Sequence, residues 1–193
     1  MNKKFLIAGL LWIICISAGF TMLYKYSLTP GKGSTMKGHD WPKNSKLTQT
    51  EKPILLIFAH PYCPCSTATI GELERLMPEL QNKVQVIVIF VQPEVRSFSW
   101  VQSSAWKTAK AIPGVTVMSD FKYVETDLFG AKTSGQVMFF DSEGKKIYSG
   151  GITPARGHMG DNVGRDMILA WLSGKSVKRE IASVFGCSLK ENY

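Results

Sequence analysis

Residues 58–66 read Phe58-Ala59-His60-Pro61-Tyr62-Cys63-Pro64-Cys65-Ser66, and the two thiols separated by one proline decide how the rest of the chain is read. An apolar run, residues 54–59, precedes them, and a helical pattern follows. A strand that delivers cysteines to the first turn of a helix lowers a thiol pKa, because free N–H groups and the positive dipole end favour the thiolate. That thiolate is both the nucleophile of disulfide exchange and a soft metal ligand. Pro64 suits the first helical position, where a missing N–H costs nothing. Cys63 then falls at the N-cap as the more exposed thiol and the expected nucleophile, with Cys65 in the first turn.

Beyond the motif, Ile70, Leu73, Leu76, Met77 and Leu80 recur at helical spacing, with Glu72, Glu74, Arg75 and Glu79 between them. Pro78 is expected to kink or end this helix. Residues 84–91 are nearly continuous Val, Ile and Phe, the pattern of a strand covered on both faces. A weaker helix is expected over 98–112, stopped by Pro113-Gly114. A short strand over 115–118 and a short helix over 121–129 follow. Residues 136–140 and 146–149 read as a hairpin around Asp141-Ser142-Glu143-Gly144, with Gly144 supplying a positive φ. A glycine-rich loop over 150–164 leads to a last helix over 165–172, which Ser173-Gly174 stops. The order β-α-β-α-β-(α)-β-β-α predicts an α/β domain over 53–174, with a tail over 175–193 that carries Cys187.

These residues resemble the thioredoxin-like superfamily in the strand 54–59, the His60-Pro61-Tyr62-Cys63-Pro64-Cys65 turn, the buried strand 84–91 and the hairpin 137–145. Within it the chain is most similar to membrane-anchored RedB-like proteins. That likeness rests on the turn, Thr133-Ser134-Gly135, Gly150-Gly151-Ile152-Thr153, the run 156–165 and the terminal Phe185-Gly186-Cys187. The resemblance implies a mixed central sheet flanked by helices and a redox activity at the thiols. Two departures stand out. The cysteines are one residue apart, not two. The strand that in thioredoxins opens with a proline facing the thiols here opens with Ser134-Gly135-Gln136. Since that proline keeps metals off the thiols in the family, its loss makes metal binding more accessible.

A Cys63–Cys65 bridge would close a very small ring and be strained. Cys187 is the other available partner, so Cys63 attacks and either Cys65 or Cys187 resolves. The expected activity is membrane-anchored, extracytoplasmic thiol–disulfide exchange with no cofactor, acting on exported protein thiols or disulfides. The alternative is a copper-handling or cytochrome-assembly module. There Cys63, Cys65 and Cys187 would hold Cu or Zn, with His60 or His158 as a further ligand. Arg156 and His158, in the glycine-rich loop, are supporting candidates: Arg156 for lowering a thiol pKa or binding an anion, His158 for acid–base work near neutral pH. Asp161 or Asn162 can cap the last helix.

The chain has 193 residues and a formal charge of +8. Seven lysines and one acid fall within residues 1–46, which therefore carry +6 of that charge. Basicity flanking an apolar segment points to a membrane surface and away from nucleic acid. Residues 5–23 contain no charge and match the ~20 residues that cross a bilayer as a helix. Trp12 sits inside this run, and Tyr24 and Tyr26 sit at its C-terminal edge, where aromatic side chains suit the interface. A signal peptide cut near Ser17-Ala18-Gly19 is the rival reading, but the apolar run continues past that point. The expectation is a single-pass anchor over residues 1–26 in the cytoplasmic membrane, a flexible tether over 27–52, and a domain on the periplasmic side. Cys15 is expected to be an apolar residue of the anchor.

Overall fold

The structure is a computed structural model that describes residues 3–36, 38–175 and 181–190. Its first element, α1 (Lys3–Ser27), has no buried residue. The mean hydropathy of α1 reaches 2.3. Its 25 residues span about 37 Å at 1.5 Å per residue, more than the ~30 Å hydrocarbon core. By length and composition α1 is a candidate membrane span, a test that a signal sequence would also pass.

The domain runs β1 (Ile54–Ala59), α2 (Pro64–Leu80), β2 (Gln85–Gln92), α3 (Phe98–Val101), α4 (Ser104–Ala111), β3 (Val115–Phe121), α5 (Val124–Leu128), β4 (Gln136–Phe140), β5 (Lys146–Gly150) and α6 (Val163–Leu172). Strands lie in the order β3-β2-β1-β4-β5. β1, β2 and β3 are parallel, whereas β4 runs antiparallel to both β1 and β5. This mixed sheet flanked by helices is the thioredoxin-like fold.

Side chains alternate across β1, so the strand feeds two cores. Leu55, Ile57 and Ala59 join Ile70, Leu73 and Leu76 of α2, Trp106 of α4 and Ile168 of α6. Ile54, Leu56 and Phe58 join Phe129, Phe140, Leu47 and Leu189 on the other face. β2 is buried at every position after Gln85, as its unbroken apolar run requires.

Several boundaries differ from the sequence reading. The helix expected over 98–112 is broken in two, because Ser103 adopts an extended backbone and its Oγ accepts the Trp106 N–H at 3.3 Å, starting α4 afresh. β3 continues to Phe121, since Ser119 to Phe121 still pair with Phe90 to Gln92. α2 runs through Pro78 to Leu80, so the proline neither ends it nor falls outside it. α6 starts at Val163, capped by the Asn162 side chain, which accepts the Arg165 N–H at 2.8 Å.

The described residues of 28–52 form no named helix or strand, yet they are seated on the domain. Gly31 N–H donates to Val184 O at 2.7 Å, Thr35 N–H to Gly130 O at 2.9 Å and Trp41 N–H to Gly144 O at 2.9 Å. The Trp41 ring meets Phe129 edge-on at 5.0 Å and Phe140 at 5.1 Å. Buried Glu125 then accepts from Ser45 Oγ at 2.7 Å and from Lys46 N–H at 2.9 Å. The polar composition of this segment suggests a loose tether, but Met36, Trp41 and Leu47 give it enough apolar surface to cover the second face of the sheet.

Glu125→Ala removes two acceptors that pin the connection beside Leu47. Such hydrogen bonds to a charged group are each worth about 1.5–3 kcal/mol. The variant should therefore lose a few kcal/mol in denaturant unfolding and become cleavable by protease within residues 43–52. Unchanged stability and cleavage would show that the segment is not held there.

Candidate active site

β1 carries the chain to the site, and a hydroxyl network fixes the turn that follows. His60 N–H donates to Ser134 Oγ at 2.9 Å, and Ser66 Oγ donates to His60 O at 2.7 Å. The Ser66 and Ser134 hydroxyls are 2.6 Å apart. Tyr62 N–H donates to His60 Nδ1 at 3.2 Å, and the His60 ring stands edge-on to Trp100 at 5.5 Å. Cys63 is the N-cap of α2 in an extended conformation, with Pro64 in the first turn, as the spacing predicts.

Cys187 arrives from the opposite end of the chain. Ser134 N–H donates to Cys187 O at 2.8 Å, Leu189 N–H donates to Lys132 O at 3.0 Å, and Thr133 bridges antiparallel to Ser188. The tail thus lies as a short strand beside residues 132–134, which lead into β4. Gly186 is required at its place, because a Cβ there would overlap the Ser134 carbonyl oxygen.

The result is a group of three thiols. Cys63 Sγ lies 2.9 Å from Cys187 Sγ, and all three sulfurs fall within 4.8 Å of one another. The sequence reading makes Cys63 the more exposed of its pair. Instead Cys63 and Cys65 are both buried, at 3% and 5%, while Cys187 is exposed, because the tail carrying Cys187 lies over the turn.

Cys63 is held well below the ordinary thiol range, first by hydrogen bonding from the Cys65 thiol, then by Cys187 and by the backbone amides of both, against the opposing effect of burial. Cys65 is pushed up strongly, first by the hydrogen bond it gives to Cys63 and then by burial and the neighbouring negative charge. Burial and the contact with Cys63 raise Cys187 to about 11, and the charge of Arg156 opposes this. One thiolate supported by two thiols is the arrangement that results.

The glycine-rich loop is pinned by Glu72, which the helical pattern places among solvated charges. Glu72 is only 1% exposed. Its carboxylate accepts the Gly160 N–H at 2.8 Å and an Arg75 guanidinium N–H at 3.2 Å, and lies 3.6 Å from Arg165. The available signal is its spacing: Ala68, Glu72 and Leu76 share one helical face. Met159 packs on Gly71, where a Cβ would collide with its thioether. The Gly157 amide supports the Cys65 sulfur.

The charge of Arg156 lowers the Cys187 thiol, as its supporting role predicts, while its hydrogen bonds go to backbone carbonyls. Its Nε donates to Thr29 O at 2.9 Å and another guanidinium N–H donates to Gly186 O at 2.6 Å, so it holds the tail just before Cys187. His158 is exposed, with Nδ1 2.6 Å from Arg156 O. Neither His60 nor His158 belongs to the sulfur group. His60 is engaged in its own turn, and the loop turns His158 outward. Asn162 is the helix cap, while Asp161 pairs with Arg165 at 2.9 Å. Cys15 is a free, exposed residue of α1, apart from the site.

An open groove of about 520 Å³ borders Cys63, lined by Pro61, Tyr62, Pro64, Thr67, Ala68, Ser104, Gly157 and Met159.

No family model matches this chain, and neither does any curated protein. Among solved structures, an uncharacterized conserved protein from Geobacillus kaustophilus superposes with a TM-score of 0.60 at 18% identity, over 86% of this chain and 93% of that one. A hypothetical protein from Sinorhizobium meliloti 1021 gives the same score and identity over 86% of this chain and 96% of that one. A secreted Mycobacterium tuberculosis disulfide oxidoreductase homologous to E. coli DsbE is more distant, at 0.46 and 16% over 65% and 84%. These likenesses concern the fold and not the activity or the narrower RedB-like resemblance.

Because Cys65 and Cys187 both support the Cys63 thiolate, its titration reads out the cluster. Iodoacetamide should modify Cys63 with a midpoint well below the ~8.5 of a free thiol. Cys65→Ala and Cys187→Ala should each raise that midpoint, Cys65→Ala by more. A midpoint near that of a free thiol in the unaltered protein would dissolve the assignment of Cys63 as the thiolate.

Proposed function

We propose that the protein is a membrane-anchored thiol–disulfide oxidoreductase in which Cys63 is the nucleophile and Cys187 the resolving thiol. The 2.9 Å separation of their sulfurs, beside a Cys63 thiolate, carries this reading. The Cys63 thiolate attacks one sulfur of a partner disulfide and releases a partner thiolate. Cys187 gives up its proton to that thiolate, attacks Cys63 Sγ and releases the second partner sulfur as a thiolate. Two electrons pass to the partner, and a Cys63–Cys187 bridge remains; the reverse sequence oxidises a dithiol. Cys65 supports the thiolate at the start and is the alternative resolving group. The domain is placed on the extracytoplasmic side, where disulfides persist, and exported protein thiols or disulfides are its partners.

A second reading has one specific observation behind it: three sulfurs within 4.8 Å of one another. At ~2.3 Å from each sulfur, a shared ion needs sulfurs roughly 3.8–4.0 Å apart. Cys63 and Cys187 would have to separate by about 1 Å for such an ion. The donor set then suits Cu(I), or Zn with a fourth ligand from outside the group. The chemistry supplied would be soft-metal transfer. Cys63, Cys65 and Cys187 would hold the ion as thiolates, so binding would have to displace the protons of Cys65 and Cys187.

With a glutathione-linked peptide, the unaltered protein should exchange reversibly and Cys63→Ser should fall to background. Cys187→Ser should accumulate the mixed disulfide on Cys63. If Cys65→Ser accumulates it instead, the resolving role passes to Cys65. Stoichiometric metal that survives dialysis, with no exchange, would replace this reading with the second one. Alkaline phosphatase fused to the C-terminus should be active, and an inactive fusion would reverse the placement of the domain.

A further inference from the structure

The last turn of α1 and the thiol loop form one hydrogen-bonded unit. Arg156 N–H donates to Ser27 O at 3.0 Å, and its guanidinium lies 5.1 Å from the centre of the Tyr26 ring. The same side chain reaches Thr29 O and Gly186 O. Its neighbour Gly157 contacts Cys65, and Gly186 precedes Cys187. An unbroken series of contacts therefore joins the end of the apolar helix to the sulfurs.

The path of the connection explains how this arises. From Ser27 the chain passes Val184 and Thr133 at the thiol end of the sheet, then Gly130, and reaches the β4–β5 hairpin at Gly144. β1 starts at that far end, where Ile54 pairs with Phe140, and returns to His60 at the thiol end. Two traverses of the domain bring the cysteines back to where α1 stops. A loose tether would leave the site facing any direction; this one returns it to the anchor.

Charge agrees with the placement. Lys25 lies in the last turn of α1. Lys32 and Lys132 lie on segments that meet there, through Thr133 Oγ1 on Lys32 O and Leu189 N–H on Lys132 O. Lysines beside a spanning helix are drawn to anionic headgroups.

We propose that α1 holds the Cys63–Cys187 pair at the bilayer surface, so that the disulfide exchanged lies in the juxtamembrane segment of a membrane protein. The substrate half of this proposal rests on the exchange reading above; the siting half does not.

The test uses the full chain in phosphatidylcholine–phosphatidylglycerol vesicles that contain a headgroup spin-labelled lipid as quencher. A fluorophore is attached through a genetically encoded ketone side chain in place of His158, on the thiol loop, or of Glu143, on the distant hairpin. Quenching should be several-fold stronger at position 158. Equal quenching, or stronger quenching at position 143, overturns the proposal whatever the exchange activity. A disulfide peptide anchored to the same vesicles by an acyl chain should also react several-fold faster than the free peptide at equal bulk concentration. Equal rates with quenching as expected overturn the substrate half. No reaction with either peptide, with quenching as expected, supports the siting and sinks the exchange reading.

Discussion

Gly186 passes so close to the Ser134 carbonyl that a side chain would not fit between them, and this approach brings Cys187 to Cys63. The backbone bond from Ser134 to Cys187 O and the Leu189–Lys132 bond flank Ser188, the residue next to the thiol. Residue 134 is also where the His60 amide and the Ser66 hydroxyl meet the Ser134 side chain. One serine therefore fixes both arms of the site: its backbone aligns the tail, and its hydroxyl aligns the turn. A thioredoxin-like protein ordinarily has a proline facing the thiols at this position. Here the strand opens with Ser134-Gly135-Gln136, and the Ser134 N–H, which a proline would lack, holds the tail that carries Cys187.

The loop that closes the site from the other side depends on a buried charge. Glu72 is surrounded by apolar neighbours on α2, and leaving its carboxylate unpaired would cost several kcal/mol. The Gly160 amide and Arg75 donate to Oε1, and Oε2, which accepts no hydrogen bond, lies 3.6 Å from the Arg165 guanidinium. This pairing draws the loop onto the helix that carries Cys63 and Cys65, and sets Gly157 beside Cys65 and Met159 against Gly71. The same loop grips the end of α1 through Arg156.

What was legible in the chain and what was not divides along the range of the interactions. The turn at 60–66, the buried strand and the hairpin were readable because proline position, β-branched runs and a turn glycine act over a few residues. Cys63 at the N-cap followed from Pro64 alone. The pairing of Cys187 with Cys63 was not decidable, since residues 124 apart meet only after the tail pairs with 132–134. Glu72 reads as one of several surface acids until its face of the helix is known. The connection over 28–52 reads as a tether because its anchors, Met36, Trp41 and Leu47, are scattered singly and not periodically. His60 and His158 were metal candidates by residue type, and local backbone geometry directs both away from the sulfurs.

Proton inventory separates the two uses of the same sulfurs. Exchange needs one thiolate and one nearby thiol that can later give up its proton, and that is the state the cluster favours: Cys63 lowered, Cys65 and Cys187 raised. A three-sulfur metal site needs all three thiolates at once, so binding must expel two further protons from groups whose neighbours resist it. Its affinity would therefore rise steeply with pH, whereas the lowered pKa of Cys63 keeps that one thiol ionised well below the ordinary thiol range. The mutual support of the thiols does both things. Each proton kept on Cys65 or Cys187 makes Cys63 a better-populated nucleophile and makes the trio a costlier ligand set. Populating one thiolate therefore asks less of this cluster than deprotonating all three sulfurs for an ion.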